Sequence, residues 1–338
     1  MKRVLVTGAA GFIGCHLARR LTDASDVHLT LVDNLQRGEI DTDFKAVRSR
    51  PNVAFLKIDL TIPAQVAVLG EYGDFDEVYH LAAANGTKIF YDAPAEVLRT
   101  NSLSTIHLLD WIVTLPTKPR LMFTSSNEAY AGALAAFGQL PIPTPEDVPL
   151  VIHDPYNPRW SYAATKLIGE LFVIHYAKCH GIPSVIVRPH NFYGPRAGRD
   201  HVIPELIARI EARQDPFALY GADETRTFCY IDDAVDAMVR LMGCASIEAP
   251  TVHIGAADEI AMRDLALLMF HIAEWDPKEI DEKPSLPGSV LRRLANTDRI
   301  RKMIGWQAQT PLNVGLRRTY QWYRAALNRP PPSFTGWD

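Results

Sequence analysis

Tyr162 and Lys166 lie four residues apart in a run, 161–180, whose apolar Leu167, Leu171, Ile174 and Ala177 recur at helical spacing. Four residues make about one helical turn, so both side chains project from one face. A phenol with an ordinary pKa near ~10 is a poor base at neutral pH. A lysine ammonium and a positively charged ring beside it would favour the phenolate. Such a tyrosine can take the proton of a secondary alcohol while hydride leaves the same carbon. The same spacing also describes an ordinary exposed helical pair, so the weight falls on what surrounds it. Ser125-Ser126 close a strand predicted over 120–124, and the Ser126 hydroxyl there can bond the oxygen being oxidised or reduced. The bland alternative for Ser126 is a turn or capping serine.

That chemistry needs a hydride acceptor, and the start of the chain supplies the place for one. Residues 3–6 read as a short buried strand, and Thr7-Gly8-Ala9-Ala10-Gly11-Phe12-Ile13-Gly14 follows as a glycine-rich turn into a helix over 15–21. Glycine tolerates positive φ and lets backbone N–H groups approach a pyrophosphate at the helix N-terminus. A second strand over 28–32 ends at Asp33, where a carboxylate can hold a ribose diol. Strand, three glycines, helix, strand and terminal acid in that order point to a dinucleotide.

Further strands are predicted over 53–58, 75–81 and 184–188, with helices over 96–115 and 161–180 between them. Asp59-Leu60 end one strand, Thr61 is a candidate cap for the next helix, and small Ala82-Ala83-Ala84 end another at a crevice. The alternation predicts an α/β fold with a doubly wound parallel sheet. Residues 132–158 read as a proline-rich covering loop. Later come a helix over 201–213, a strand over 227–231, a helix from 232 capped by Asp232 or Asp233, a strand over 251–255 and helical segments at 299–302 and 316–323. The last residues, from Arg329-Pro330-Pro331-Pro332 on, are expected to fray.

The 338 residues are 47% hydrophobic and 22% charged, enough for a large core, and the net charge of −4 gives no electrostatic reason to expect nucleic acid or an anionic membrane surface. No apolar run approaches the length of a membrane span, and Met1-Lys2-Arg3 leads into the first strand without a signal-peptide pattern. The four cysteines are widely separated, and the eleven histidines lack metal-ligand spacing, so neither a disulfide framework nor a metal site is expected. His153, His175, His180 and His201 are expected at the surface or in structural roles. A reducing cytoplasm is the expected location.

Taken together, these residues resemble the extended short-chain dehydrogenase/reductase family of NAD-dependent nucleotide-sugar epimerases and dehydratases. The resemblance covers nearly the whole chain. Beyond the motifs above it rests on His80-Leu81-Ala82-Ala83, Asn101, Arg188-Pro189-x-Asn191-x-Tyr193-Gly194-Pro195, Arg226-x-Phe228-x-Tyr230-Ile231-Asp232-Asp233, Gly305-Trp306 and Trp322-Tyr323. It implies a Rossmann domain over 1–188 plus about 227–255. A smaller, interleaved nucleotide-sugar-binding domain would take 189–226 and 256–330, with 331–338 as a tail. It implies NAD held by Gly8, Gly11, Phe12, Ile13, Gly14, Asp33, Asn34, Asp59, Leu60, Leu81, Ala82, Ala83, Asn101, Tyr162, Lys166 and Pro189. Tyr162 would be the acid/base and Lys166 a ribose ligand that lowers its pKa, with Ser126 and Glu128 completing the catalytic set. The substrate would be a nucleotide-diphosphate sugar met by Asn85, Ser126, Asn127, Asn191, Arg226 and one of Arg292 or Arg293, here taken as Arg293. Arginine forks suit phosphate. The structural alternative for Arg226 and Arg293 is a surface ion pair. A homodimer follows by analogy through the two long helices.

Two departures matter. Asn127-Glu128 stands where the family's 4,6-dehydratases carry Asp-Glu, and asparagine cannot act as the acid for water loss. Glu128 nonetheless matches a glutamate of dehydratases and decarboxylases that typical galactose-type epimerases lack. Leu286-Pro287-Gly288-Ser289 stands where a family arginine and aspartate are common. The expectation is a 4-epimerase working through a transient 4-keto sugar. The alternatives are a dehydratase, decarboxylase or 4-dehydrogenase using Glu128, and a non-catalytic NAD-sensing regulator.

Overall fold

Val4 and Val6 face one apolar cluster and Leu5 the opposite one, and all three are fully buried. A strand covered on both faces belongs at the centre of a parallel sheet. The computed structural model describes residues 1–24, 26–285 and 291–327. Its first half runs β1 (Lys2–Thr7), α1 (Phe12–Thr22), β2 (Val27–Asp33), α2 (Thr42–Arg48), β3 (Val53–Lys57), α3 (Pro63–Ala67), β4 (Glu77–His80), α4 (Thr87–Asp92), α5 (Pro94–Thr114), β5 (Arg120–Thr124), α6 (Ala131–Phe137), α7 (Trp160–His180) and β6 (Ser184–Pro189). The second half runs β7 (Phe192–Tyr193), α8 (Val202–Glu211), β8 (Phe217–Tyr220), β9 (Thr225–Thr227), β10 (Cys229–Tyr230), α9 (Ile231–Met242), β11 (Thr251–Ile254), β12 (Glu259–Ala261), α10 (Met262–Ala273), β13 (Ile280–Lys283), β14 (Arg292–Arg293), α11 (Asp298–Ile304) and α12 (Leu312–Leu327).

The large sheet has seven strands in the order β11-β6-β5-β4-β1-β2-β3, every pair parallel. The chain reverses direction across the sheet between β1 and β4, and a crevice opens beyond the strand ends at such a point. On one face Leu108, Ile112 and Val173, from α5 and α7, pack over Leu5, Val78 and Leu121. On the other, Leu17 and Met238, from α1 and α9, pack over Val4, Val6 and Leu31. Smaller sheets, β12-β9-β14, β13-β8 and β10-β7, carry the rest. Among the described residues no helix is long and apolar enough to cross a membrane.

Several local expectations are corrected. Thr61 does not cap α3: the cap is Ile62 with Pro63 behind it, and Thr61 donates instead to the Asp59 carboxylate. Neither Asp232 nor Asp233 caps α9, whose N-cap is Tyr230. Asp232 pairs with Arg19, and Asp233 accepts from the N–H groups of Gln309 and Thr310. The strand expected over 227–231 breaks at Phe228, because β9 pairs with β12 and β14 while β10 pairs with β7. The covering loop begins as α6, and its far part is tied down where Thr144 bridges Ala295. Segments 286–289 and 329–338, on which two expectations fell, lie outside the described residues.

Candidate active site

The glycine turn is shaped by close backbone approach. Gly8 has φ +68°, and a Cβ there would lie 2.7 Å from the Ala82 nitrogen. A Cβ at Gly14 would run into the Gly8 carbonyl, so β1, β4 and α1 converge only because both side chains are absent. Arg196 braces the turn from the far half of the chain, donating to the carbonyls of Gly11 at 3.1 Å and Ala10 at 3.2 Å while paired with Asp41. Phe12 and Ile13 open α1 at this point. The cradle a side chain would fill fits a pyrophosphate.

Asp33 ends β2 buried, its carboxylate accepting from the N–H groups of Ala10 at 3.0 Å and Leu35 at 2.8 Å. Burial pushes its pKa up against those two hydrogen bonds and Arg196. Asn34 reaches toward Asp59 at 3.4 Å, and Leu60 is buried beside them. Across the crevice Thr7 Oγ1 joins His80 Nδ1 at 2.8 Å and accepts from the N–H groups of Leu81 and Ala82. This fixes the wall that continues through Ala83. Asn101 spends its amide on that wall: Oδ1 accepts from Ala84 N at 2.6 Å, and Nδ2 donates to Ala84 O and Thr165 Oγ1. It ties the strand end to α7 through protein groups. Pro189 closes β6 opposite Ile254.

Tyr162 and Lys166 both point from α7 into the interior, each less than a tenth exposed. The Tyr162 ring stacks on Phe90 of α4, centroids 4.9 Å apart and 15° from parallel. Burial raises its phenol above the ordinary value, opposed by the Ser126 hydroxyl and the Arg37 guanidinium, while Glu128 adds to the rise. Lys166 Nζ lies 5.6 Å from the Tyr162 ring centroid and donates to the Thr124 carbonyl at 2.7 Å. Burial lowers Lys166 to about 8, with Glu170 pulling the other way. Ser126 Oγ accepts from Glu128 N at 3.2 Å and lies 3.4 Å from Asn127 Oδ1. Ser126 therefore does cap the short helix Asn127–Tyr130, the role first set against chemistry, while still acting on Tyr162.

Below these residues runs a buried network that sequence reasoning did not assemble. Arg188 makes a forked pair with Glu170, both contacts 2.7 Å, and Ser125 Oγ donates to the same carboxylate at 2.5 Å. Arg188 also donates to the Glu146 carbonyl of the covering loop. The ends of β5 and β6, the middle of α7 and the loop are thereby locked together.

On the substrate side, β9 and β14 pair in parallel with Arg226 directly opposite Arg293. The two candidates for the second arginine part here: Arg292 turns outward to Glu259, and Arg293 turns in to Glu128 at 2.9 Å. Arg226 donates to Glu224 at 2.6 Å. Arg159, not singled out from the sequence, approaches the other Glu128 oxygen at 3.6 Å. Burial works to raise the Glu128 pKa, but Arg293, Arg159 and Arg226 outweigh it and hold the carboxylate below the usual range. Asn191 has φ +44° and donates its amide to the Thr227 carbonyl at 2.8 Å, so it anchors β9. Asn85 lines a hollow with Arg37, and Asn127 is buried beside Ser126. Arg159 lies three residues before Tyr162, at the start of α7, but its ion pair across the fold left no local sign.

A glycine cradle over a parallel sheet, an acid ending the second strand and a buried tyrosine–lysine pair beside a serine define a dinucleotide-dependent enzyme site. Residues 4–255 match the NAD dependent epimerase/dehydratase family, and the chain belongs to it. UDP-N-acetyl-alpha-D-glucosaminuronate decarboxylase of Bacillus cytotoxicus is 30% identical over 97% of this chain and 99% of that protein. UDP-glucose 4-epimerase of Mycolicibacterium smegmatis is 29% identical over 95% and 98%. The structure of UDP-glucose 4-epimerase from Thermotoga maritima with UDP-glucose superposes with a TM-score of 0.82 at 25% identity, covering 96% of this chain and 99% of that one. The dTDP-glucose 4,6-dehydratase DesIV of Streptomyces venezuelae, solved with NAD, gives 0.82 at 25% over 96% and 97%. The cofactor is NAD, and the protein is an enzyme of this family.

Proposed function

We propose that the protein is a 4-epimerase of a nucleotide-diphosphate sugar. Bound NAD supplies the acceptor, and then the donor, of the hydride at C4. Tyr162 takes the proton of the C4 hydroxyl and returns it after the sugar has presented its other face. Ser126 hydrogen-bonds that oxygen and helps Tyr162 ionise against its burial. Lys166 holds the cofactor's ribose from within reach of the phenol, and Arg226 with Arg293 takes the diphosphate of the substrate. The glycine turn, Asp33, Asn34, Asp59 and Leu60 hold the adenosine end.

The observation that carries epimerisation is the state of Glu128. Its carboxylate is ionised and occupied by Arg293 and Arg159, so it has no proton to give and its lone pairs already face cations. Asn127 beside it cannot act as an acid. This segment thus offers no group to expel a hydroxyl, and the simplest fate of the 4-keto sugar is reduction. Glu128 offsets only one of the two guanidinium charges that face it.

The same arrangement supports a second reading. A hexuronate carboxylate could displace Glu128 from Arg293 and Arg159, and a 4-keto hexuronate is a β-keto acid. Its C5–C6 bond breaks with release of CO2, the electron pair moves into the C4 enolate, and C5 then takes a proton. The similarity to uronate decarboxylases favours this reading. Mass spectrometry of reactions with a panel of nucleotide hexoses and hexuronates in deuterated water separates them. Epimerisation gives a product of unchanged mass with no carbon-bound deuterium. Loss of CO2 with deuterium at C5 would replace the first reading by the second, and loss of water or net oxidation would exclude both.

A further inference from the structure

Arg37 stands in the loop after β2, four residues past Asp33, and its guanidinium reaches the segment after β4, across the end of β1 that lies between the two strands. Gly86, the N-cap of α4, has φ +134°, and a Cβ built on it would lie 3.1 Å from Arg37 Nη2 and 3.3 Å from Nη1. The guanidinium therefore rests against bare backbone. It lines a hollow of about 230 Å³ with Asn85, Gly86, Lys88, Ile89, Asp92 and Asp200. Its charge favours ionisation of Tyr162 and disfavours protonation of His201, so it lies between the Asp33 loop, the Tyr162 helix and the approach to α8. Among the described residues no carboxylate pairs with it, although most of the arginines around the site are paired.

We propose that Arg37 is a strap over the cofactor: it spans the crevice above the glycine turn and pairs with the pyrophosphate of NAD. The inference rests on the NAD site at that turn and is independent of which sugar is turned over. An unpaired guanidinium held between two banks of a crevice is a ready partner for a dianionic diphosphate. The glycine turn offers N–H groups from below, and Arg37 would close from above. Its reach toward α4 and Tyr162, away from the Asp33 side, sets this role apart from that of a 2′-phosphate selector. Retention of the cofactor between turnovers would then depend on Arg37.

The test is binding, without turnover. Cofactor-stripped native protein and Arg37→Ala are titrated calorimetrically with NAD, NADP, ADP-ribose, adenosine and UDP, and NAD carried through gel filtration is measured. The expected result is a loss on the order of tenfold or more for NAD, NADP and ADP-ribose alike, with adenosine and UDP unchanged. Arg37→Lys should recover part of the loss, and NAD should wash out of Arg37→Ala. Unchanged NAD and ADP-ribose affinity overturns the proposal. So does a loss confined to NADP, which makes Arg37 a 2′-phosphate ligand, or a loss for UDP, which assigns it to the substrate diphosphate. An equal loss for adenosine would show that the substitution had disturbed the loop, and would also overturn it. The melting temperature without ligand should match that of the native protein, since the side chain is exposed. Failure of the epimerase reading would leave all these titrations unaltered.

Discussion

The two banks of the crevice are built by different means. On the cofactor bank the contacts are backbone to backbone, or side chain to backbone: Gly8 against Ala82, Ala10 N on Asp33, Leu35 N on Asp33. On the bank proposed for the substrate the important groups are guanidiniums already paired with carboxylates, Arg226 with Glu224 and Arg293 with Glu128, brought together by short strands from distant segments. A backbone cradle is rigid and has one shape to offer, which suits an invariant cofactor. Ion pairs can exchange one carboxylate or phosphate for another, which suits a bank whose ligand differs from relative to relative.

The largest effect should come from chemistry that leaves both banks intact. Tyr162→Phe keeps the stack on Phe90 and removes the proton acceptor, so turnover should fall by roughly 10²–10⁴-fold with NAD binding largely intact. Rapid-quench assays beside NAD titration check this. Turnover within a few-fold of native would remove Tyr162 from the reaction.

On the substrate bank, Arg226→Ala should weaken nucleotide-sugar binding by about 2 kcal/mol if the guanidinium exchanges Glu224 for phosphate. The change should appear in KM with kcat nearly constant, because the phosphate contact is alike in ground and transition states. A KM equal to the native value would leave Arg226 as a partner of Glu224 alone.

The cofactor bank should discriminate by charge. Asp33 takes two backbone N–H groups and sits buried, so a 2′-phosphate beside it would place two anions together with little water to screen them. NADP should bind on the order of tenfold or more weaker than NAD, and Asp33→Asn should narrow that ratio. Equal affinities in the native protein would mean that the acid does not face the ribose.

What could be read in the sequence follows the same division. The path from β1 through the glycine turn to Asp33 was legible because each step is local: a buried strand, missing side chains, an amphipathic helix, an acid at a strand end. Tyr162 and Lys166 were legible because one helical turn fixes their relation. The helix α4 was not, since Gly86 gives it no capping side chain and its length is short. Glu170, Arg159 and the facing of Arg226 on Arg293 were illegible for a different reason. Their partners lie 18, 31 and 67 positions away, at separations that carry no periodic signal. The capping acids expected at Asp232 and Asp233 failed likewise: a good local cap was outbid by Arg19 and by the backbone of 309–310.

The last effect is one on stability and concerns Lys166, where the cofactor bank's rigidity has a cost. Burial lowers its pKa from 10.5 in an unfolded chain to about 8, with His80 and Tyr162 packed near it and Glu170 the anion that partly offsets the loss of water. Below about pH 8 both states carry the proton, and the folded state bears the full cost of a buried ammonium. Between about 8 and 10.5 the unfolded chain holds a proton that the folded protein has released, so this group's contribution to stability rises with pH through that window. Lys166→Met loses the hydrogen bond to Thr124 O, a penalty with no pH dependence, and also loses the rising contribution. The native protein should therefore gain stability relative to Lys166→Met across that window, by on the order of 1–3 kcal/mol in urea unfolding at a series of pH values. Other alkaline titrations cancel in the difference because both proteins share them. A difference that stays flat from pH 7 to 10.5 would mean that Lys166 keeps its ordinary pKa, and that Glu170 and the Thr124 carbonyl fully replace the water it gave up.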